Sequence, residues 1–288
     1  MSNTGLLICA SQCWPDETNT AAASFDQLLA NQILQRNGWR GRLLLALVYW
    51  RWGRALLRGV LQCSLPGILS HYQWRKQHIA ARLRRQIAQH GVRQLLIIGA
   101  GFDALGAKFS SEFSHLQVIE IDRPATMDIK QQVLQQLNAL QPNLCLKAAD
   151  LACCSVAELL AEEPAFSTSR STLVLAEGVL MYLTQPAINT LLLQLRQIMD
   201  APLQLVATQM QLNLQGKPRF IQQSWLTDLA LAISSEPFVS GVSPQGLASW
   251  LASVGFTLQQ LVAAAQPGNT DPCPGELLFY ANVEPTDN

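Results

Sequence analysis

The chain has 288 residues, 49% of them hydrophobic, which indicates a globular protein with one large domain or two small ones. Its longest apolar run, Leu43 to Trp50, is far too short to span a bilayer. The opening Met1-Ser-Asn-Thr-Gly lacks the basic start and apolar core of a signal peptide, so we expect a cytoplasmic protein without a membrane partner.

The cysteines and histidines give no metal-binding pattern. The seven cysteines are scattered without C-x-x-C spacing, and the four histidines are equally dispersed. In a chain of this length, such cysteines are more typical of reduced structural thiols than of a disulfide framework or a zinc site. The sequence therefore predicts no metal site.

The 20 basic and 20 acidic residues balance overall but are unevenly spread. Between Gln27 and Phe102 there is no acidic residue, while twelve of the twenty Lys and Arg lie there. Such a stretch can attract a carboxylate substrate, a nucleic acid or an acidic carrier. The alternative is a solvated face, which we favour for most of these arginines.

The first 70 residues are predicted to form an arm and a helical cover. Residues 1–24 are polar and rich in small residues, which favours a poorly fixed arm. From Phe25 to Val60, apolar residues recur at helical spacing, which predicts two or three short helices packed over a later glycine turn. The predicted helix breaks are Gly38, Gly41, Gly53 and Gly59, and the predicted packing residues are Trp39, Trp50 and Trp52.

The centre of the sequence is an apolar strand that runs into two glycines. Leu95–Ile98 is typical of a strand buried on both faces. Gly99 and Gly101 allow a tight turn and let a ligand approach the backbone. A second apolar run, Gln117–Asp122, ends in carboxylates about twenty residues later, where nucleotide-type α/β folds bind ribose hydroxyls.

Helices and further strands alternate around this centre, which indicates a mostly parallel α/β sheet. One predicted helix, Tyr72 to His90, precedes the glycine turn, and another runs from Pro124 until Pro142. A short helix follows at Val156–Leu160, and Thr184 is predicted to cap a longer one. The remaining predicted strands are Leu144–Leu151, Leu173–Ala176, Leu203–Ala207, Phe256–Leu261 and Leu277–Asn282.

Three acidic residues follow three of the predicted strands. Asp122, Asp150 and Glu177 fall at the carboxyl ends of the second, third and fourth strands, beside the glycine turn. Ligands of open α/β sheets bind beyond those strand ends. The three acids suit a ligand with ribose hydroxyls, an adenine amine and an ammonium group, and S-adenosylmethionine carries all three.

Several short motifs occur in a fixed order between Tyr72 and Leu195, and one more lies near the end of the chain. They are His71-Tyr72-x-x-Arg75-Lys76, Gly99-Ala-Gly-Phe-Asp103, Glu120-Ile-Asp122-Arg-Pro124-Ala-Thr, Lys130, Asp150-Leu151, Glu177-Gly-Val-Leu-Met-Tyr-Leu183 and Gly275-Glu-Leu-Leu-Phe-Tyr280. Together they resemble the leucine carboxyl methyltransferase family, in particular its bacterial members. The resemblance implies a Rossmann-like class I methyltransferase fold, a mostly parallel seven-stranded sheet with helices on both faces.

The resemblance also implies a cofactor, S-adenosylmethionine, and residues that hold it. Arg75 would pair with the methionine carboxylate and Glu177 would face the same end. Asp122 would hold the ribose hydroxyls, and Asp150 and Leu151 would border the adenine. The two glycines of the turn, Gly99 and Gly101, would let the cofactor lie on the backbone.

The implied reaction moves a methyl group from sulfonium to an oxygen nucleophile. A carboxylate is already ionised at neutral pH, so it needs alignment and loss of water rather than a general base. Tyr182 is a candidate for lining the transfer site, and a core position is an equally weighted alternative. The acceptor stays open: a peptide C-terminus, a small metabolite, a polyketide-type acid or, less favoured, a modified RNA.

The resemblance is incomplete at some positions. Family members often carry threonine at the position of Ala104 and arginine at that of Lys108. Residues 1–70 and 209–270 match loosely, and we expect those regions to choose the substrate. We therefore divide the chain into an N-terminal cover, 1–70, and a methyltransferase domain, 71–288.

Two other functions remain as alternatives. Gly99-x-Gly101-x-x-Ala104, with Glu120 or Asp122 at the expected distance, also satisfies the fingerprint of a nicotinamide-dependent oxidoreductase. The chain lacks a recognisable second mononucleotide-binding half, which disfavours that class. The second alternative is a non-catalytic binding protein that keeps the methyltransferase fold.

Overall fold

The computed structural model describes residues 3–13, 24–151, 153–225, 227–228, 231, 237–262 and 273–283. Five helices precede the first strand: α1 Asn3–Gln12, α2 Phe25–Arg36, α3 Gly38–Tyr49, α4 Arg51–Ser64 and α5 Ile68–Gln89. The strands are β1 Gln94–Ile98, β2 Gln117–Asp122, β3 Leu144–Ala148, β4 Thr172–Ala176, β5 Leu203–Met210, β6 Thr257–Val262 and β7 Glu276–Asn282. The later helices are α6 Leu105–Glu112, α7 Pro124–Gln136, α8 Val156–Ala161, α9 Gln185–Ile198 and α10 Leu247–Ser253, with a 3₁₀ turn at Leu180–Tyr182.

The seven described strands form one sheet in the order β3-β2-β1-β4-β5-β7-β6. The pairs from β3 through β5 are parallel, whereas β7 runs antiparallel to both β5 and β6. This confirms the predicted mostly parallel seven-stranded sheet. It also differs from the 3-2-1-4-5-6 order of dinucleotide-binding oxidoreductases, because an antiparallel strand stands between the fifth and sixth positions.

The sheet separates two layers of core, which explains the continuous apolar run in β1. Leu95 and Ile97 face the layer that contains buried residues of α2, α5, α6 and α7. Leu96 and Ile98 face the opposite layer, which contains buried residues of α8, α9 and α10. Since alternate residues of a strand point to opposite faces, a strand buried on both sides must be apolar throughout.

The prediction of a poorly fixed arm is wrong for residues 3–13. Leu6, Cys9 and Ala10 of α1, with Cys13 directly after the helix, are buried at the spacing of a helical face. The polar run Asp16–Thr20 hides this short stripe in the composition of residues 1–24. Residues 14–23, also assigned to the arm, lie outside the described residues.

The cover contains the predicted helices, but three of the four glycines are not breaks. Only Gly38 begins a helix with a positive φ, 63°. Gly41 and Gly53 lie inside α3 and α4, where an added Cβ would come within 2.0 Å of the Leu34 carbonyl oxygen and 2.4 Å of the Leu47 carbonyl oxygen respectively. These two glycines therefore allow close backbone packing, and Gly59 also lies within α4.

Two further predictions about packing and helix length are corrected. Trp39, Trp50 and Trp52 are exposed rather than packed, with Trp39 at 71% and Trp52 at 68%. Helix α7 ends at Gln136 rather than at Pro142, because Asn138 adopts a left-handed φ of 51° that breaks the helix.

The described residues contain neither a helix long and apolar enough to cross a membrane nor a group of three or more candidate metal ligands. The proposed boundary between residues 70 and 71 stays a prediction.

Candidate functional site

A cavity of about 480 Å³ opens where β1, β2 and β4 end at the carboxyl edge of the sheet. Its size is typical of pockets that hold small molecules. The lining includes every site residue predicted from the sequence: Arg75, Gly99, Gly101, Asp122, Asp150, Leu151, Glu177 and Tyr182. Residues more than a hundred positions apart therefore meet at one place.

The glycine turn forms the floor of the cavity, and its two glycines serve different purposes. Gly99 has a φ of 66°, and an added Cβ would lie 2.7 Å from Cγ2 of Val179. Gly101 has a φ of 53°, but a Cβ there would have no neighbour within 4 Å. Gly99 thus fits a crowded turn, whereas Gly101 leaves the backbone open for a ligand to approach.

Asp122 holds the turn in shape from the end of the neighbouring strand. Its Oδ2 accepts a hydrogen bond of 2.7 Å from the Gly101 N–H, and its Oδ1 accepts one of 2.7 Å from the Arg123 N–H. Each carboxylate oxygen retains a lone pair for a further donor. The carboxylate is therefore oriented at the cavity wall before any ligand binds.

The second acid of that strand, Glu120, has a structural role instead. Its carboxylate is fully buried and lies 2.5 Å from Nζ of the equally buried Lys130. An added Cβ at Gly106 would come within 2.0 Å of its Oε1, so α6 can pass only because that residue is glycine. Burial raises the pKa of Glu120, and Lys130 offsets part of that rise. Between the two candidate ribose acids, the geometry favours Asp122.

Arg75 lies in α5 between two buried carboxylates. Its Nε donates to Oε1 of Glu177 at 2.8 Å, and its Nη1 donates to Oε2 of Glu276 at 2.6 Å. The same Glu276 oxygen lies 2.7 Å from Nε2 of His71. Burial alone would lower the pKa of Arg75, but the two carboxylates raise this pKa by more than burial lowers it. The guanidinium therefore stays charged. The ring of Tyr72 lies 4.8 Å below the guanidinium carbon.

Glu276 is the acid at the start of β7, and its pKa is strongly lowered. Burial alone would raise the pKa, but Arg75, followed by His71, outweighs burial and brings it to about 2. The carboxylate is thus ionised over the whole physiological range. Its role is to fix Arg75 from the side opposite Glu177.

Lys76 continues this row of alternating charges towards the cavity. Its Nζ donates to Oε2 of Glu177 at 2.8 Å and also to Asp103, which follows the glycine turn. Burial alone would lower the pKa of Lys76, but both carboxylates raise it more. Burial alone would raise the pKa of Asp103, but Lys76 lowers it more. Both groups are therefore held in their charged forms.

The opposite end of the cavity is less charged. Asp150 is exposed, and its carbonyl accepts hydrogen bonds from the Cys153 and Cys154 N–H groups at 3.0 and 2.9 Å. This turn presents Leu151, which is half-buried and packs against the α9 layer of the core. Asp150 and Leu151 therefore offer one acidic and one apolar contact at the cavity rim.

Tyr182 belongs to the 3₁₀ turn and lines the cavity with Val179, Leu183 and Val239. Its ring centroid lies 5.8 Å from that of Phe238, and it packs against the small core cluster between α5 and β5. The structure therefore places Tyr182 in the cavity lining and against a core cluster, and its role at a transfer site stays a prediction.

Sequence reasoning missed several residues of this site. Cys9 and Gln12 line the cavity from α1, the segment predicted to be an arm. Lys76, Asp103 and Glu276 each stand within a motif that carried the family resemblance, but their pairing was not foreseen. The available signal was that Asp103 and Glu276 each stand beside an apolar stretch, whereas Lys76 does not.

Comparison with known proteins identifies the family. A family model described as leucine carboxyl methyltransferase matches residues 51–196, which is half of the chain. The chain belongs to the leucine carboxyl methyltransferase family. Family membership makes methyl transfer from S-adenosylmethionine the activity to test. No curated protein sequence matches the chain.

Solved structures show the same fold at low sequence identity. A candidate methyltransferase from Thermobifida fusca YX superposes with a TM-score of 0.59 at 16% identity, covering 88% of this chain and 94% of its own. A candidate O-methyltransferase from Nostoc punctiforme PCC 73102 gives a TM-score of 0.50 at 12% identity, covering 71% and 54%. The chain therefore spans about half the length of the Nostoc protein, and likewise 53% of the pyocyanin biosynthetic protein PhzM.

Proposed function

We propose that this methyltransferase transfers the methyl group of S-adenosylmethionine to a carboxylate oxygen of a small molecule or peptide. The observation that carries the proposal is the ionisation state of the groups around the cavity. Lys76, Asp103 and Cys9 of the cavity lining are unsuited to removing a proton from an alcohol or an amine. The carboxylates of Glu120 and Glu177 are engaged in ion pairs. An acceptor that is already ionised needs no such base.

Apart from the other carboxylates of the lining, three titratable groups of the cavity are disfavoured as bases by their ionisation state. Lys76 is held protonated by its two carboxylate partners. Asp103 has a lowered pKa, which makes it a weak base. Burial, together with Cys13, raises the pKa of the Cys9 thiol, so Cys9 stays a neutral thiol. No histidine is among the described residues that line the cavity.

The residues of the cavity fit the cofactor. The open backbone at Gly101 leaves space where a side chain would project. Asp122 would accept the ribose hydroxyls with lone pairs its backbone contacts leave available, and Asp150 and Leu151 would border the adenine. Glu177 would face the ammonium group. When bound, S-adenosylmethionine supplies the electrophilic methyl group.

Arg75 has fewer nitrogens available for the methionine carboxylate of the cofactor than the resemblance implied. Its Nε and Nη1 already bind Glu177 and Glu276. Among the described residues, Nη2 has no hydrogen-bond partner, and a Cβ built on Gly178 would lie 3.9 Å from it. We therefore assign Nη2 to the cofactor carboxylate and the other two nitrogens to fixing the guanidinium.

The chain assists transfer by excluding water and aligning the acceptor. Val179, Leu183 and Val239 give the region around Tyr182 an apolar lining. A carboxylate that leaves water for such a surface becomes a better nucleophile, provided that it is held in line with the methyl group. The acceptor would enter here.

A radiolabel experiment tests the acceptor atom. The protein is incubated with methyl-labelled S-adenosylmethionine and a panel of free acids, including a short peptide ending in leucine, fatty acids and aromatic acids. Products are treated with mild alkali, and we expect the label to leave as volatile methanol, because esters hydrolyse there. Matching amides and alcohols serve as control acceptors. Label that survives alkali as an ether or N-methyl group would mean that the carboxylate assignment is wrong.

The same samples address the two alternatives. Binding of S-adenosylhomocysteine without transfer to any acceptor in the panel would favour a non-catalytic binding protein. Thermal stabilisation by NADPH but not by S-adenosylhomocysteine would favour an oxidoreductase, against the strand order of the sheet.

A further inference from the structure

Helices α3 and α4 together expose a surface that the catalytic account does not use. We call it the α3–α4 face, defined by the exposed side chains of residues 39–60. Its large hydrophobic members are Trp39, Leu43, Tyr49, Trp50, Trp52, Leu56 and Val60, each more than half exposed. A concentration of apolar surface of this kind marks an interaction site rather than ordinary solvent-facing surface.

The arrangement of α4 shows that its outer apolar stripe is separate from its packing face. Trp52, Leu56 and Val60 follow one another at intervals of four residues, so they form one stripe along the helix. The half-buried Leu57 and Leu61 pack against the protein from another side. The helix therefore has one apolar face for the fold and a second that points to solvent.

Both helices also carry arginines, two of which lie beside exposed indole rings. Arg51, Arg54 and Arg58 recur along α4, and Arg40 and Arg42 belong to α3. The guanidinium carbons of Arg40 and Arg51 lie 5.6 and 5.8 Å from the rings of Trp39 and Trp52. No acidic residue occurs anywhere between Gln27 and Phe102, so no acidic side chain of this segment offsets the arginines.

We propose that the α3–α4 face binds the surface of a bilayer that contains anionic lipids. Indole rings favour the boundary between headgroups and acyl chains, and Leu and Val side chains insert just below it. Arg40 and Arg51, whose guanidinium groups lie beside the rings of Trp39 and Trp52, extend to anionic headgroups while their stems stay on apolar surface. An amphipathic helix with one such apolar stripe lies in the plane of the interface.

Charge and chemistry disfavour other occupants. A two-fold interface with a second copy would bring the same arginines against each other without any acidic partner from this segment. A nucleic acid would satisfy the arginines but would leave Leu43, Leu56 and Val60 in water. This proposal replaces the expectation of no membrane partner with a surface contact that does not span the bilayer.

Vesicle flotation tests the proposal. The full chain is mixed with phosphatidylcholine vesicles or with vesicles that also contain phosphatidylglycerol, at low and high salt. We expect flotation with the anionic vesicles, a blue shift of tryptophan fluorescence, and loss of both at high salt. Absence of flotation with either vesicle type overturns the proposal.

Two variants identify the contact. The first variant, Trp52→Ser with Leu56→Ser, removes two side chains of the apolar stripe. The second, Arg40→Gln with Arg51→Gln, removes two positive charges, and for this second variant we expect roughly 30-fold weaker partitioning into anionic vesicles. The controls are Leu214→Ser and Arg84→Gln, which alter an exposed leucine and an exposed arginine elsewhere. All four chains should melt at the wild-type temperature. Membrane binding is contradicted if the Trp52/Leu56 variant floats as well as the wild-type protein does. It is also contradicted if the wild-type protein is a dimer and the Trp52/Leu56 variant, but none of the other three, is a monomer.

Discussion

Arg75 is the residue on which the charged side of the cavity depends. Its planar guanidinium donates to Glu177 and Glu276 through two nitrogens and keeps the third for a ligand, whereas a lysine ammonium lacks this fixed fork of donors. We predict that Arg75→Lys weakens binding of S-adenosylhomocysteine at least about tenfold and lowers the melting temperature, as measured by calorimetry. Arg84→Lys, an exposed change on the same helix, is the matched control and should leave both unchanged. Equal losses at both positions would show that a diffuse positive field, rather than Arg75, holds the cofactor.

Glu276 gives the fold a predictable sensitivity to acid. Its pKa falls from an ordinary 4.5 to about 2 in the folded protein, so the folded state binds fewer protons than the unfolded chain as pH drops. The contribution of Glu276 to the free energy of unfolding is therefore complete above about pH 5 and is lost as the pH falls towards 2. For this residue alone we predict a loss of about 2 kcal/mol in the free energy of unfolding by pH 3.

Urea unfolding at pH 7 and pH 3 measures this loss. Glu276→Gln removes the titrating group, so its free energy of unfolding should fall less between the two pH values than that of the wild type. It should start lower at pH 7, because Arg75 then lacks one of its carboxylates. An identical pH dependence in both proteins would show that Glu276 does not carry the acid sensitivity.

At the level of residues, the sequence predicts the residues that face the cavity better than it predicts the distant carboxylates that hold those residues in place. Gly99, Gly101 and Asp122 follow from local spacing in a strand and a turn, and the cavity includes all three. The contact between Arg75 and Glu276 joins residues 201 positions apart, across the antiparallel strand β7. No local pattern encodes which distant carboxylate will meet a given arginine.

At the level of elements, the buried pair Glu120–Lys130 joins β2 to α7 beneath the cavity. We predict that Lys130→Met destabilises the protein by about 3–5 kcal/mol, because it leaves a buried carboxylate without its counter-charge. Adding Glu120→Gln should recover part of the loss, since no charge then remains buried. Urea unfolding of the single and double variants checks both values. A double variant as unstable as Lys130→Met would indicate that packing, not charge, causes the loss.

The strands were predicted more accurately than the N-terminal helices for a physical reason. Strands β1, β2 and β4 are buried on both faces, so their apolar runs are continuous and visible in the sequence. Helix α1 buries only a narrow stripe, and α3 and α4 carry apolar side chains that face solvent. A pattern of hydrophobicity identifies such helices but cannot tell an inward stripe from an outward one.

At the level of the whole molecule, the order of the strands decides between functions that share a glycine fingerprint. Alternating strands and helices predict a parallel sheet but not the insertion of an antiparallel strand between β5 and β6. That insertion, together with the family match, separates a methyltransferase from a nicotinamide-dependent oxidoreductase. The sequence alone left both open, because the glycines and the following acid meet the requirements of either cofactor.

The central claim is that the cavity at the carboxyl edge of the sheet binds S-adenosylmethionine through Asp122. Isothermal titration calorimetry with S-adenosylhomocysteine, applied to the wild type and to Asp122→Ala, tests it most directly. Hydrogen bonds to a charged group contribute about 1.5–3 kcal/mol each, so we predict at least about tenfold weaker binding by Asp122→Ala. An Asp122→Ala variant that binds with the wild-type dissociation constant, or a wild type that binds no S-adenosylhomocysteine, would contradict the account.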